Sequence, residues 1–441
     1  MVKLWKIILP VLIAIIVLKV AYFDINENNY YWDETIYLDI AQNINENNTY
    51  LSSMGENFRA PLFPLALSFF SNKSLAHLFV ILLSIISIFF AYLLGKEVLN
   101  KLTGLIAALF LAINPLYYFW SYKLLTEPLT LCLILLSLYL FVKFEKGKVS
   151  NLYLYSSFFV AGLAVLARYT SLSLIAALFL AVAIKGKIFK KEYLLAHIIF
   201  IIVLLPLFVL GMKFYGNPLG MPLQNSLQTA YPKMPLSNFT QNFLQNFCYF
   251  VPLFFLLTIV TKIRKKIPSI LWFYLISTIV LLAVVSQKYD RFLIILLPAF
   301  TVISAAGFAY ALTRVGKLKT IMVLLTVILS LIVVYNNMAE INAEKHNTEI
   351  LLDATNFVKE LPCPAVISNS TRHFEFFANK ETIGYPATKE EFLKLSTEKN
   401  ASCFVIDSFH GQPDYRKFIN DSYKVVYANS SGDKFAYVYI Q

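Results

Sequence analysis

Two adjacent carboxylates, Asp33 and Glu34, lie in a polar stretch directly after the first apolar run of the chain. Carboxylates close to lipid are costly to hold and usually serve chemistry or transport. Adjacent residues of a helix point in different directions, so one carboxylate could take a proton from a hydroxyl group while the other supports it or binds a partner. The alternative is structural, because acidic residues also suit the positive end of a helix that begins near Thr35. The residues alone leave both interpretations open.

A cation and a third carboxylate stand at the ends of later apolar segments. Arg59 is followed by Pro61 and Pro64, which stiffen the chain, and its guanidinium offers the planar fork of donors that suits a phosphate group. Snorkelling of a boundary arginine toward lipid head groups would explain Arg59 equally well. Glu127 precedes Pro128 in a helix-entry pattern, so it is either a cap or a site residue.

Arg168 lies between two short apolar stretches, 152–167 and 170–184. Lysines on both flanks place both ends of this segment in the cytoplasm, so two short helices fit better than one long helix. Near lipid, an arginine must pair with an anion or face a wet cavity. One of the three carboxylates named above, or a lipid phosphate, would satisfy it. Lys288, Asp290 and Arg291 form another charged cluster at a helix end, where solvated boundary charges are an equally good explanation.

The sequence predicts no metal site and no cofactor. No His, Cys and Asp cluster has the spacing of a structural zinc site, and no Ser-His-Asp motif stands in a nucleophile-elbow context. A hydrated divalent ion held by Asp33, Glu34 and Glu127 is compatible with the residues, but a single acidic pair is thin support for it.

The elements that must position these residues are membrane helices. The chain has 441 residues, of which 58% are hydrophobic and 15% charged, against about a quarter charged in average soluble domains. Since a bilayer core needs about twenty apolar residues per helix, the sequence predicts about eleven spans. They fall near 5–22, 75–94, 104–121, 125–142, 152–167, 170–184, 194–214, 245–261, 269–286, 292–312 and 319–337.

The net charge of +12 comes from short basic runs between these spans, not from one basic face, so it argues against nucleic-acid binding. Basic runs of this kind mark cytoplasmic loops. The rule predicts a cytoplasmic N-terminus on a retained first helix, and it places the juxtamembrane loop at about 23–74 on the outer face. Within that loop, 35–44 has the apolar spacing of an amphipathic surface helix.

The last hundred or so residues change character, because charge rises and apolar runs shrink to strand length. Apolar runs at 365–368, 403–407, 424–427 and 435–439 are typical of strands, and helices are predicted at 349–360, 389–396 and 414–419. This alternation predicts a small, largely parallel α/β sheet. The fold class is therefore a mainly α membrane protein with two domains: 1–337, polytopic and transmembrane, and 338–441, extracytoplasmic and α/β. Cys363 and Cys403 both fall in the second domain, where a disulfide is compatible with the sequence.

Taken together, the motifs resemble those of the polytopic glycosyltransferases that use lipid-linked sugars, which have the GT-C fold and include the protein O-mannosyltransferases and the lipid A aminoarabinose transferases. An Asp-Glu pair in the first outer loop is followed by Arg-x-Pro-Leu-x-Pro, and a second acidic motif, an Arg-x-Thr segment and a late Arg-to-Pro segment follow in order. The likeness covers roughly the first 310 residues. The segments that carry it are 33–34, 59–64, 125–129, 166–170 and 290–298.

The resemblance implies inverting transfer of a sugar from a polyprenyl-phosphate (dolichyl-phosphate) donor to an acceptor glycan, lipid or protein on the outer face of the membrane. It implies that Asp33 is the base and that Glu34 positions the acceptor. The lipid-phosphate and substrate-binding residues that it implies are Arg59, Glu127, Arg168 and Arg291. The small α/β domain departs from the inserted domain of the protein mannosyltransferases, which puts a protein acceptor in doubt.

Other functions stay open at this stage. A metal-dependent oligosaccharyl-type transferase would use a pyrophosphate-linked donor, and it typically carries a more separated acidic motif than Asp33-Glu34. A transporter or flippase would favour symmetric halves and charges in mid-membrane, and a non-catalytic assembly subunit would use the acidic pair merely as a cap. The predicted location is the plasma membrane, as a multi-pass protein.

Overall fold

The computed structural model describes residues 4–21, 32–52, 55–70, 72–147, 150–228, 234–247, 250–409 and 411–440. The chain forms two compact units. The first consists of Met1–Ile25 and Asn43–Asn337, and the second of Asn26–Gln42 and Met338–Gln441. The second unit therefore joins the segment that carries the acidic pair to the C-terminal part of the chain.

Up to residue 360, the regular secondary structure of the described residues is helical. The helices are α1 (Trp5–Ala21), α2 (Trp32–Asn47), α3 (Leu62–Ser68), α4 (Lys73–Val98), α5 (Lys101–Ala112), α6 (Pro115–Trp120), α7 (Thr126–Glu145), α8 (Leu152–Ala167), α9 (Leu172–Ala183), α10 (Lys191–Val203), α11 (Leu205–Tyr215), α12 (Gly220–Gln228), α13 (Ser237–Asn246), α14 (Val251–Val260), α15 (Ser269–Val284), α16 (Leu297–Arg314) and α17 (Lys319–Glu360). Short 3-10 turns occupy Tyr169–Ser171, Lys262–Lys266, Asp290–Leu296 and Gly316–Leu318.

Several of these helices have the length and composition of membrane spans. Within the described residues, four qualify, and the bent pair α10 and α11 would make a fifth. Pro206 follows the break between α10 and α11, which fits the 41° bend because proline cannot donate to the preceding turn. Shorter apolar helices of 10–17 residues, including α5, α8, α14 and α15, accompany them. The predicted total of about eleven spans stays a prediction.

Two helix contacts of the first unit require glycine. A Cβ on Gly307 of α16 would overlap the carbonyl oxygen of Phe254 in α14, and a Cβ on Gly104 of α5 would lie 2.5 Å from the carbonyl oxygen of Tyr92 in α4. The absence of a side chain lets these backbones approach closely, as is common where helices pack in a membrane.

The break at Arg168 agrees with the sequence. Two short helices rather than one long helix were expected over 152–184, and α8 indeed ends at Ala167 before Arg168 turns extended, with φ −159° and ψ 125°. The basic flanks of the segment carried this inference, since they demanded an even number of crossings.

The C-terminal part of the second unit is a five-stranded sheet with three short helices. Its strands are β1 (Ala365–Ser368), β2 (Glu381–Ile383), β3 (Ala401–Asp407), β4 (Lys424–Ser431) and β5 (Lys434–Ile440), in the order β2-β1-β3-β5-β4. The helices are α18 (Thr371–Ala378), α19 (Lys389–Glu398) and α20 (Arg416–Ser422). Buried apolar residues on both faces of the sheet form its cores.

The expectation of a largely parallel sheet is right for one half and wrong for the other. β1 pairs in parallel with β2 and β3, whereas β5 pairs antiparallel with β3 and β4. The reason is the tight β4–β5 turn, in which Gly432 adopts a φ of +60° that favours a two-residue hairpin. A disulfide joins Cys363, just before β1, to Cys403 of β3, with the two Cα atoms 5.9 Å apart.

Candidate active site

Glu127 and Arg168 form an ion pair in the first unit. Arg168 Nη1 contacts Glu127 Oε1, and the two side chains are 12% and 2% exposed. Glu127 lies in the first turn of α7, and Arg168 lies at the end of α8, where the chain leaves the helix. Thr126 adds its hydroxyl, which lies 3.4 Å from Arg168 Nη1 and 3.3 Å from Glu127 Oε2. Glu127 is therefore the anion that the sequence required for Arg168, because its buried carboxylate balances the charge of the guanidinium group.

The ring of Phe292 brings Arg291 to the same place. The guanidinium carbon of Arg168 lies 5.0 Å from the centre of this ring, and that of Arg291 lies 5.6 Å from it. Both distances are in the range of cation–π contacts. Asp290 accepts a 2.7 Å hydrogen bond from the backbone N–H of Arg291, which fixes the start of the turn. Two cations thus share one aromatic ring.

Arg59 lies on a loop that is tied to the Arg168 segment. The Tyr169 hydroxyl donates to the carbonyl of Phe58 at 3.0 Å, and the Tyr50 hydroxyl donates to the carbonyl of Arg59 at 2.9 Å. The Arg59 side chain pairs with Glu56, with Nε and Oε2 3.9 Å apart. The hydrogen bond from Tyr169 makes the loop of Arg59 a neighbour of the Arg168 turn.

Asp33 and Glu34 belong to the second unit, and they stand in the first turn of α2. Glu34 is fully buried, whereas Asp33 keeps part of its surface exposed. Their position matches both interpretations of the sequence, since the first turn of a helix favours carboxylates and Asp33 stays accessible to another molecule. Further along α2, Asp39 Oδ2 lies 4.0 Å from Nη1 of the buried Arg372 in α18.

Two lysines have roles that the sequence reasoning missed. Lys19, 1% exposed, donates to the carbonyl of Tyr118 and to the hydroxyl of Ser121, and it faces the rings of Tyr117, Tyr118 and Tyr122 at 5.1, 4.8 and 4.2 Å. A lysine near the end of an otherwise apolar helix was the available signal. Lys288 donates to the carbonyls of Leu282 and Ala283 at 2.9 and 3.0 Å and so caps the end of α15.

Across the residues that the structure describes, no three His, Cys, Asp or Glu side chains come together in the manner of a metal site. The roles of Asp33, Glu34, Arg59, Glu127, Arg168 and Arg291 stay predictions, although Glu127, Arg168 and Arg291 share one cluster.

Residues 62–210 match the family model described as dolichyl-phosphate-mannose-protein mannosyltransferase. Comparison with curated proteins gives no match. The matched segment contains Glu127 and Arg168 and ends before Arg291.

Among solved structures, the chain is similar to ArnT from Cupriavidus metallidurans bound to undecaprenyl phosphate, with a TM-score of 0.70 and 11% identity over 99% of this chain and 98% of that one. It is also similar to the Archaeoglobus fulgidus oligosaccharyltransferase tethered with an acceptor peptide, with a TM-score of 0.64 and 15% identity over 92% of this chain and 69% of that one. For the archaeal oligosaccharyltransferase AglB of the same organism, in complex with an inhibitory peptide and a dolichol-phosphate, the values are 0.63, 13%, 91% and 70%.

At these identities the similarity shows the fold. The resemblance that the motifs indicated is confirmed, because the chain has the GT-C fold of the polytopic glycosyltransferases and matches a mannosyltransferase family model over part of its length.

Proposed function

We propose that the protein is a membrane glycosyltransferase that moves a sugar from a polyprenyl-phosphate donor to an acceptor hydroxyl on the outer face of the membrane. The single observation that carries this proposal is the cluster of Arg168, Arg291 and Glu127 around Phe292, in a chain with the GT-C fold. Similar structures hold undecaprenyl phosphate or dolichol-phosphate, which is the class of donor that the proposal requires.

The cluster suits a phosphate because it brings two guanidinium groups, each a planar fork of donors, to the same aromatic ring. Arg168 already pairs with Glu127, and Arg291 is held beside it by the shared ring. A lipid phosphate that reaches the cluster would accept charge-assisted hydrogen bonds from both guanidinium groups. Arg59 would add a third cation from the neighbouring loop, and Glu127 would shape the site by orienting Arg168.

The proposed step balances as a single displacement with inversion. Asp33 takes the proton of the acceptor hydroxyl, and the acceptor oxygen forms a bond to the anomeric carbon of the sugar. The bond between that carbon and the phosphate oxygen breaks, and the lipid phosphate leaves with the electron pair. The arginines stabilise the negative charge that develops on the leaving phosphate, and Glu34 positions the acceptor.

A second candidate is an oligosaccharyl-type transferase with a pyrophosphate-linked donor and a divalent metal. The similarity to the archaeal oligosaccharyltransferase over 92% of this chain favours keeping it. A phosphate cluster built from arginines would also receive a pyrophosphate, so the donor must be distinguished by experiment.

The experiment is a transfer assay in purified membranes with radiolabelled polyprenyl-phosphate and polyprenyl-pyrophosphate sugars, run with and without EDTA. Membranes without the protein are the control. Label that leaves only the monophosphate donor, unaffected by EDTA, with the product anomer opposite to the donor, would support the proposal. EDTA-sensitive loss from the pyrophosphate donor would replace it with the second candidate. No loss from any donor would leave a transporter, flippase or assembly subunit as the better account.

A further inference from the structure

We propose that the small α/β domain sets the orientation of the helix that carries Asp33, and that Arg372 is the positioning residue. The inference rests on the proposed function, because it assigns Asp33 the role of base. It gives the C-terminal domain a part in the reaction instead of a separate binding task.

The contact that carries the inference lies inside the second unit. Arg372, 3% exposed, directs Nη1 toward Asp39 Oδ2 at 4.0 Å and toward Glu375 Oε2 at 3.9 Å. Asp39 lies in the middle of α2, and Asp33 lies in the first turn of the same helix. Any motion of α2 about its axis must therefore displace Asp39 from a buried cation.

Arg372 is itself fixed to the sheet. Two residues before it, the Ser370 hydroxyl donates to Asp407 Oδ2 at 2.7 Å, and the second oxygen of Asp407 accepts from the N–H of Phe409 at 2.8 Å. Asp407 is the last residue of β3 and is 4% exposed. The start of α18 is thus held against the end of a central strand, so Arg372 is a rigid reference for the helix that it contacts.

The disulfide strengthens this reference. Cys363 precedes β1, the strand that leads to Arg372, and Cys403 lies in β3, the strand that ends at Asp407. The crosslink and the hydrogen bond of Ser370 therefore join the same two strands near their opposite ends. The disulfide therefore fixes one end of the β1–β3 pair, and the hydrogen bond of Ser370 fixes the other end, next to Arg372.

A rotational anchor matters on α2 because the two carboxylates are adjacent. Successive residues of an α-helix are separated by about 100° around the axis. A rotation of that size would point Glu34 in the direction in which Asp33 pointed before. Because the glutamate side chain is one methylene longer, its carboxylate would lie at a different distance from the helix axis. The buried apolar face of α2, with Ile36 and Ile40 both 0% exposed, limits its rotation, and the buried ion pair adds a defined polar partner that penalises a wrong rotation further. The pair of Asp39 with Arg372 therefore selects which carboxylate meets the acceptor.

The inference predicts a specific kinetic pattern. A small displacement of the Asp33 carboxylate should lower kcat. The donor and the acceptor should still bind, so KM should stay unchanged. A misplacement of about 1 Å can cost roughly 100-fold in rate, and we expect a kcat loss of roughly 10- to 100-fold for Arg372→Met and for Asp39→Asn. Arg372→Lys, which keeps the charge but loses the fork, should recover part of that loss.

The test uses the full-length protein in nanodiscs and two readouts. The first is steady-state transfer, and the second is hydrogen exchange of backbone amides in 32–47. The matched control is Lys399→Met, because Lys399 pairs with Glu381 at 2.8 Å in the same domain but both side chains are about half exposed. Arg372→Met should lower kcat and accelerate exchange in 32–47, whereas Lys399→Met should change neither. If Arg372→Met does not fold, Asp39→Asn carries the same test from the more exposed partner.

The outcomes separate this inference from the proposed function. Folded Arg372→Met and Asp39→Asn proteins with wild-type kcat and wild-type exchange in 32–47 would overturn the inference. A parallel rise in KM, or a loss that Arg372→Lys does not relieve, would also overturn it, because either would mean general structural damage. If the wild-type protein transfers no sugar from any donor while Arg372→Met still accelerates exchange in 32–47, the proposed function fails and the anchoring of α2 stands.

Discussion

Replacing Arg168 should separate its structural role from the phosphate-binding role proposed for it. Three variants are compared with the wild type: Arg168→Met, Glu127→Gln and the double variant. Glu127 is 2% exposed, so Arg168→Met leaves a buried carboxylate without its cation. Breaking a buried pair from one side costs about 3–5 kcal/mol of unfolding free energy. The nearby Thr126 hydroxyl offsets only about 1 kcal/mol of this cost, as a typical hydrogen bond does.

The double variant is the informative one. It removes both charges together, and the loss of a whole buried pair is far less destabilising than the loss of one partner, because no uncompensated charge stays buried. We therefore expect most of the lost 3–5 kcal/mol to return. Activity should not return, because the leaving phosphate still lacks one of its donors. The loss of one such donor typically lowers kcat by about 100- to 1000-fold.

Chemical denaturation in detergent and the transfer assay measure the two quantities on the same preparations. Lys185→Met is the control, since Lys185 pairs with Glu145 at 2.5 Å but is 39% exposed. An exposed pair of this kind contributes less than about 1 kcal/mol, and its loss should leave kcat unchanged. A double variant that recovers both stability and kcat would show that Arg168 serves only to neutralise Glu127 and does not hold the leaving phosphate.

Three further predictions concern the framework. Cys403→Ser opens a disulfide that spans 40 residues. The chain-entropy model predicts a loss of about 4 kcal/mol of unfolding free energy. Denaturation of the wild type with and without reductant checks this value, and equal stability under both conditions would contradict it. Lys288→Met removes the cap of α15 and should lower stability by about 1–2 kcal/mol with kcat retained, whereas a selective loss of kcat would place Lys288 in the site. Burial, with Tyr415 and Asp407 nearby, raises the pKa of Tyr385 well above its usual value near 10. The unfolded chain loses this proton first, so stability should fall as pH rises above about 10, and Tyr385→Phe should flatten that fall; an identical pH profile would contradict the assignment.

Much of the first unit could be predicted from the sequence because its signals are local. The basic flanks of 152–184 required two crossings, and the structure ends α8 at Ala167 before Arg168. The pattern at Glu127 and Pro128 predicted a helix start, and α7 begins at Thr126. In contrast, the ring of Phe292 contacts its neighbour Arg291 and also Arg168, which is more than a hundred positions away in the chain. No local sequence pattern reports such a distant contact.

In the second unit, local sequence patterns predicted only some of the strands and helices. The sequence predicted β1, β3, β4 and β5 from their apolar runs, but it missed β2, which has three residues, and α18, whose residues mix aromatic and charged types. It predicted the helix of 35–44 as a surface helix and did not anticipate that this segment belongs with the C-terminal part of the chain. The pairing of Asp39 with Arg372 across more than three hundred residues depends on tertiary structure alone.

In the proposed mechanism, Asp33 removes the proton of the acceptor hydroxyl while a lipid phosphate leaves. The most direct measurement is single-turnover transfer from a radiolabelled polyprenyl-phosphate sugar by the wild type and Asp33→Asn, with donor binding measured on the same samples. Glu46→Gln, on the exposed end of α2, is the control. We expect Asp33→Asn to bind the donor normally but to lose transfer by about 100-fold or more, whereas Glu46→Gln should keep it. Transfer by Asp33→Asn at the wild-type rate would mean that Asp33 is not the base.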